Sequence, residues 1–210
     1  LSITASDAGF YNDAPAWARS TGNVVRDISV QKGIVKAVIE KAEPVPQAVA
    51  TTAGNDKTII VFSGNLDKVI ASFIIANGAL AMGRKVTMFF TFWGLNALRK
   101  PDKVHGIRKN LIEKAFGWMM PRGSGKLPLS NMNMGGMGSK MIRGIMKHHN
   151  VPALEDMMTM AIKNGVNIVA CQMSMDLMGI RKEELVDGVE IGGVAAYLEA
   201  SEHSDNNLFI

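Results

Sequence analysis

KTIIVFS, residues 57–63, is an almost unbroken apolar run, and the reading of the whole chain turns on it. A strand with no polar alternation has to be covered on both faces, which is the condition of a parallel sheet lying between helices. Directly after it, Leu66, Val69, Ile70, Phe73 and Ile74 recur at the i, i+3, i+4 spacing of a helix with one apolar face. The same alternation continues down the chain. KVTMFFTF (85–92) reads as a second strand and VNIVAC (166–171) as a third buried one. Between them Leu111, Ile112, Ala115, Phe116 and Met119 line one helical face. Leu154, Met157, Met158 and Ala161 line another, entered through Asn150 and Pro152. GVEI (188–191), a helix with Val194, Tyr197 and Leu198 on one side, and NLFI (207–210) complete the series. The expected fold class is α/β, a doubly wound and mainly parallel sheet with helices on both faces.

Ahead of this series the pattern differs. LSITA (1–5) alternates as a strand, and NDAPAWARSTG (12–22) reads as a short helix with Asp13 as N-cap, Pro15 in the first turn and Gly22 at its end. Residues 23–42 read as two strands joined by a tight turn at Gln31-Lys32-Gly33. This β-α-β-β segment of about 40 residues is too small to bury much core alone, so it reads as part of a larger domain. EPVPQAVATTAGND (43–56), with two prolines and no periodicity, reads as a linker. The opening LSITASD has no basic region, apolar signal core or initiator Met, so the expectation is the interior of a longer chain rather than a signal peptide.

Composition narrows the function classes. A hydrophobic share of 47% with 20% charged residues matches an ordinary globular protein. The net charge of +4 is spread along the chain, which speaks against a nucleic-acid partner. The most apolar windows fall short of the roughly 20 residues that cross a bilayer, so no membrane span is expected. One cysteine cannot form an internal disulfide, which fits a reducing, cytoplasmic setting.

That cysteine, Cys171, closes the third strand in NIVACQMSMDLMG (167–179). Ligands in open parallel sheets bind beyond the carboxyl ends of strands. The residues placed there are Gly64 and Asn65, Trp93 and Gly94, and Cys171 with Gln172. If MSMDLMG opens a helix, free backbone N–H groups would stabilise a thiolate. A cysteine ending a buried strand also serves as small apolar filler, and position alone leaves both readings open. The methionine-rich run 116–146 reads as a Gly- and Pro-containing flap or subunit contact, with Met134, Gly135 and Gly136 as further candidates for substrate contact. It offers a soft metal no Cys or His partner, so no metal site is expected. GGMGSK (135–140) places Ser139 before Lys140, the reverse of a phosphate-binding loop, and no resident cofactor is called for. His148 and His149 are adjacent on a helix, while His105 and His203 show no evident partner.

KTIIVFSGNLDK, KVTMFFTFWGLNALRKP, FGWMMPRG, NMNMGGMGSKMI and IVACQMSMDLMGI followed by EELVDGVEIGGVAAYLE together resemble the DsrE/DsrF/DsrH-like family, in its single-cysteine branch, over residues 57–210. Residues 1–41 resemble the second half of a TusA-like (SirA-like) sulfur-carrier domain, with 42–56 as the linker. The resemblance implies a flavodoxin-like fold, homo-oligomers, and a sulfur relay in which Cys171 carries a persulfide between protein or small-molecule thiols, as a sulfurtransferase does. Only Cys171 takes over the family's active thiol. The TusA-like part lacks its Cys-Pro-x-Pro loop and has Ala18 after Trp17 where relatives often have Cys. Two alternatives stay open, a peroxiredoxin-like peroxidase and an oligomerisation or docking module of a disulfide-reductase-type protein. Against the first, the residues before Cys171 are Val169-Ala170 rather than the Thr a peroxidase would place there.

Overall fold

The computed structural model of the chain describes residues 1–6, 9–42, 54–104 and 106–210; most of the expected linker, residues 43–53, and His105 lie outside the described residues. The first elements are β1 (Ser2–Ala5), α1 (Phe10–Ser20), β2 (Val24–Gln31) and β3 (Ile34–Glu40). They form the expected β-α-β-β unit, with β3 central and antiparallel to both neighbours. Lys32 and Gly33, with φ of 50° and 77°, make the two-residue hairpin turn whose twist matches the flanking strands. Ala37 and Ile39 bury one face of β3 against Ala14 of α1.

The helix α1 begins at Phe10, earlier than the sequence suggests, so Pro15 lies inside it rather than in its first turn. Asp13 does not cap its own helix. Its carboxylate accepts the N–H of Gly193 at 2.9 Å, the residue that begins the last helix of the chain. A tertiary partner has taken the acceptor that local pattern assigned to the helix start.

The second sheet consists of β4 (Asp56–Val61), β5 (Val86–Phe90), β6 (Asn167–Cys171), β7 (Val189–Gly192) and β8 (Ser204–Phe209). All its pairings are parallel, in the order β7-β6-β5-β4-β8. Alternation along the strands sends Ile59, Val61, Met88, Phe90, Ile168 and Ala170 into the main core. There they meet α2 (Leu66–Ala81) through Leu66, Val69, Phe73 and Ala76, and α5 (Leu154–Lys163) through Leu154, Met157, Met158 and Ala161. Phe89, Val169 and Cys171 point to the opposite face, under Tyr197 of α7 (Val194–Glu202). The parallel sheet between helices is therefore as read from residues 57–63, and no helix among the described residues is long and apolar enough to cross a membrane.

Three apolar stripes are less covered than their spacing predicts. Ile74 is exposed on the outer side of α2, and Val194 and Leu198 are exposed on α7. The helix α3 (Leu111–Met119) buries none of its residues fully. Of its apolar face, half-buried Phe116 lies 6.4 Å from the Trp93 ring, while Leu111, Ile112 and Met119 stand in the open. The run 116–146 is also more ordered than a loop, since it contains α4 (Met137–His148) and two 3-10 turns, Ser124–Lys126 and Met134–Gly136. Met137, Met141 and Ile145, four residues apart, form an exposed stripe along α4.

A buried ionic cluster ties the segment after β5 to the segment before β7. Arg99 is fully buried, with its Nη2 3.5 Å from Glu184. Glu184 also accepts Lys109, Arg122 at 2.7 Å and the Arg181 N–H at 3.1 Å. Burial alone would raise the Glu184 carboxyl, but the hydrogen bonds from Lys109, the Arg181 backbone and Arg122 outweigh it and hold the group down at about 2. A group depressed in the folded state contributes stability above its unfolded value and loses it as the pH falls through the folded one. We expect roughly 3 kcal/mol of stability to disappear between pH 4.5 and about 2 from this carboxylate. Urea unfolding of wild type and Glu184→Gln across that window checks it: the variant should be less stable at neutral pH and lose less on acidification, and parallel pH profiles would contradict the assignment.

Candidate functional site

The carboxyl ends of the parallel strands form one edge, and the residues singled out in the sequence distribute along it in two groups. Gly64, Asn65 and Trp93 line a cavity of about 770 Å³ beyond β4 and β8, together with Phe62, Lys68 and Phe209. Phe62 anchors its wall, with ring centroids 5.4 Å from Phe92 and 5.8 Å from Phe209. Ser63 donates to the Asn65 side chain at 2.8 Å, which fixes the turn into α2. Gly94 lies beneath this cavity. A Cβ there would overlap the Val61 carbonyl, so the close approach of two backbones requires glycine.

Cys171 occupies a different part of the edge. It is the last residue of β6, registered against Gly192 of β7, and it directly precedes α6 (Gln172–Met178), so the helix expected after it is present. The residue is only 6% exposed. Phe89 and Val169 are its neighbours on the same sheet face, and Tyr197 packs over the group, its ring 5.6 Å from that of Phe89. The first turn of α6 is pinned to the end of β5 by the hydrogen bond of 2.7 Å between Ser174 and Thr91. Gln172 turns along the helix and donates to Asp176 at 3.0 Å. Met134, Gly135 and Gly136 line neither the cavity at Asn65 nor the surroundings of Cys171; they form the turn into α4.

A second cavity, of about 540 Å³, lies between α1 and the sheet edge. Its wall includes Val169, two residues before Cys171 on the same face, and Gly192, the register partner of Cys171. From the other side Tyr11, Asn12 and Arg19 close it. The contact is specific: Asn12 donates to the Ile191 carbonyl at 2.8 Å and Arg19 to Glu199 at 2.8 Å, beside the Asp13–Gly193 bond. Sequence reading missed Tyr197, which packs against the Phe89, Val169 and Cys171 group, and α1, which walls the neighbouring cavity. The first was legible only as one apolar residue on a helical face, and the second depends on a contact spanning 180 positions.

Chemically the edge offers one thiol, Cys171, and the chain has no second cysteine to resolve it. Among the described residues no group of three or more His, Cys, Asp or Glu side chains is gathered as a metal would need.

Comparison with known proteins gives consistent matches over the same region. The model of the DsrE/DsrF/DrsH-like family matches residues 54–209. The uncharacterized protein YrkE of Bacillus subtilis is 52% identical over 153 residues, which cover 73% of this chain and 95% of YrkE. The sulfur carrier protein DsrE2 of Allochromatium vinosum is 36% identical over 159 residues, covering 72% of this chain and 96% of DsrE2. Among solved structures, ychN from E. coli aligns with a TM-score of 0.42 at 12% identity, over 74% of this chain and 98% of its own.

The closure of the thiol by Tyr197 can be measured directly, because a thiol-specific reagent has one target in this chain. Tyr197→Ala should raise the rate at which Cys171 reacts with a disulfide reagent several-fold in the folded protein. An unchanged rate would mean that Tyr197 does not gate access.

Proposed function

Because the chain belongs to the DsrE/DsrF/DrsH-like family, we propose that it is a sulfur-relay protein in which Cys171 carries sulfane sulfur as a persulfide. The observation that supports this most is the position of the single cysteine: it ends a parallel strand and begins a helix, on a chain 36% identical to a sulfur carrier protein. The chemistry is two displacements. The Cys171 thiolate attacks the outer sulfur of a donor persulfide, the donor S–S bond breaks, and the donor leaves as a thiolate. An acceptor thiolate then attacks the outer sulfur of the Cys171 persulfide, and Cys171 leaves in turn. No net oxidation occurs, and the proton of the transferred S–H travels with the outer sulfur.

With no resolving cysteine, both partners are thiols of other molecules or of other parts of a longer chain. Burial under Tyr197 supports a site that opens for its partner and otherwise keeps the bound sulfur from stray thiols. Residues 1–41 act, in this reading, as the second half of a TusA-like domain, followed by a linker over 42–56 and the relay domain over 57–210. The segment itself has no sulfur-carrying group, but it docks through Asn12, Asp13 and Arg19 next to the strand that pairs with Cys171. The exposed Met132, Met134, Met137, Met141 and Ile145 form an apolar surface that suits a second copy of the chain, so the working form is a homo-oligomer.

One experiment reads both features. After incubation with a small-molecule persulfide, native mass spectrometry should show particles of more than one chain, each chain heavier by one sulfur atom. Cys171→Ala should take up none. Particles at the 22.7 kDa of a single chain would refute the assembly, and an unmodified wild type under donors that load a known carrier would refute the relay.

A further inference from the structure

Away from both cavities already described, a third of about 580 Å³ lies among the segment after β5, α3 and the Glu184 turn, and its lining is strongly basic. Lys103, Lys109, Lys114, Arg122 and Lys126 face it, against two carboxylates, Glu113 and Glu184. Five cations against two anions leave a surplus of three, and both carboxylates are already engaged. Glu184 is held by Lys109 and Arg122, and Glu113 accepts Arg181 at 2.8 Å and the Asn110 N–H at 2.9 Å. Among the described residues no carboxylate forms an ion pair with Lys103, Lys114 or Lys126.

A solvated basic surface would look similar in charge alone, but Arg99 sets this place apart. Its guanidinium is fully buried: Nη2 faces Glu184 at 3.5 Å, and among the described residues Nε has no hydrogen-bond partner. It backs onto the cavity wall, since a Cβ on the lining residue Gly117 would lie 3.9 Å from Nη2. Buried donors of this kind are normally satisfied, and a charged one left over calls for an acceptor. The remaining wall is apolar: Trp118, 82% exposed, with Val104 and Ile107. A cavity of this size and mixed lining falls in the range of small-molecule sites.

We propose that this cavity binds a phosphate monoester, the dianionic phosphate over the Lys109, Lys114, Arg122 and Lys126 floor and the organic part against Trp118. Phosphate suits a floor with several converging N–H donors and a surplus of positive charge, because it offers three acceptor oxygens at one point. The site is independent of the sulfur relay, although α3 rests on the end of α6, where a Cβ on Gly179 would meet Glu113 at 2.8 Å.

Titration calorimetry with phenyl phosphate and AMP, beside inorganic phosphate and adenosine, tests it on the whole chain. Both esters should bind, inorganic phosphate more weakly, and adenosine not measurably. Lys114→Glu with Lys126→Glu, two exposed positions that leave the Glu184 cluster intact, should weaken the esters by about tenfold or more, a loss of about 1.4 kcal/mol. Trp118→Ala should weaken the esters and spare inorganic phosphate. No binding of either ester at millimolar concentration, ester binding unchanged by the charge reversals, or inorganic phosphate bound as tightly as the esters would each overturn the proposal. Because Cys171 is untouched, sulfur uptake by the same variants separates failure here from failure of the relay.

Discussion

The strand β6 pairs with β5 on one side and β7 on the other, in registers that set Phe90 beside Ala170 and Cys171 beside Gly192. Parallel pairing allows no two-residue return, so every strand must be re-entered through a helix or long segment, and all the carboxyl ends gather at one edge. That constraint places the single thiol where a strand hands over to a helix. The connection between β5 and β6, residues 91–166, is far longer than a parallel crossover needs, and it has to find its own anchors. The Arg99–Glu184 cluster is one such anchor, and it is expensive to desolvate. The chain meets that cost with several hydrogen bonds on one carboxylate, and among the described residues the Arg99 Nε still has no partner.

How much of this was legible in the sequence depends on whether the signal was local. Unbroken apolar runs at 57–63 and 166–171 marked buried strands because burial on both faces is a property of the run itself. The Lys32-Gly33 turn was legible for the same reason, since a positive φ at a glycine is a one-residue demand. Cys171 at a strand end could be read, but its setting could not: Tyr197, from another helix, packs against the group it shares with Phe89 and Val169. Asp13 shows the same limit in reverse, a residue with a sound local role that long-range packing spends on Gly193 instead. The apolar spacing of α3 was correctly seen as a helix face, yet periodicity says only that a face exists and not what covers it.

The two halves of the chain meet near the thiol. α1 sits beside β7 and α7 through Asn12, Asp13 and Arg19, so the N-terminal β-α-β-β segment is held against the strand that pairs with Cys171. Cys171 is only 6% exposed, so the relay proposed above requires a partner that opens the group packed under Tyr197. In the proposed relay, that burial would both protect a bound sulfur and make its transfer depend on a specific partner.

Transfer, more than loading, is what a relay must do. Wild-type protein loaded with isotopically labelled sulfane sulfur, freed of donor, and mixed with an equimolar single-cysteine acceptor protein puts this to the test. Mass spectrometry should find the label leaving Cys171 and appearing on the acceptor cysteine in equal amounts. Label that stays on Cys171, or emerges only as free sulfide while the acceptor gains nothing, would contradict the account.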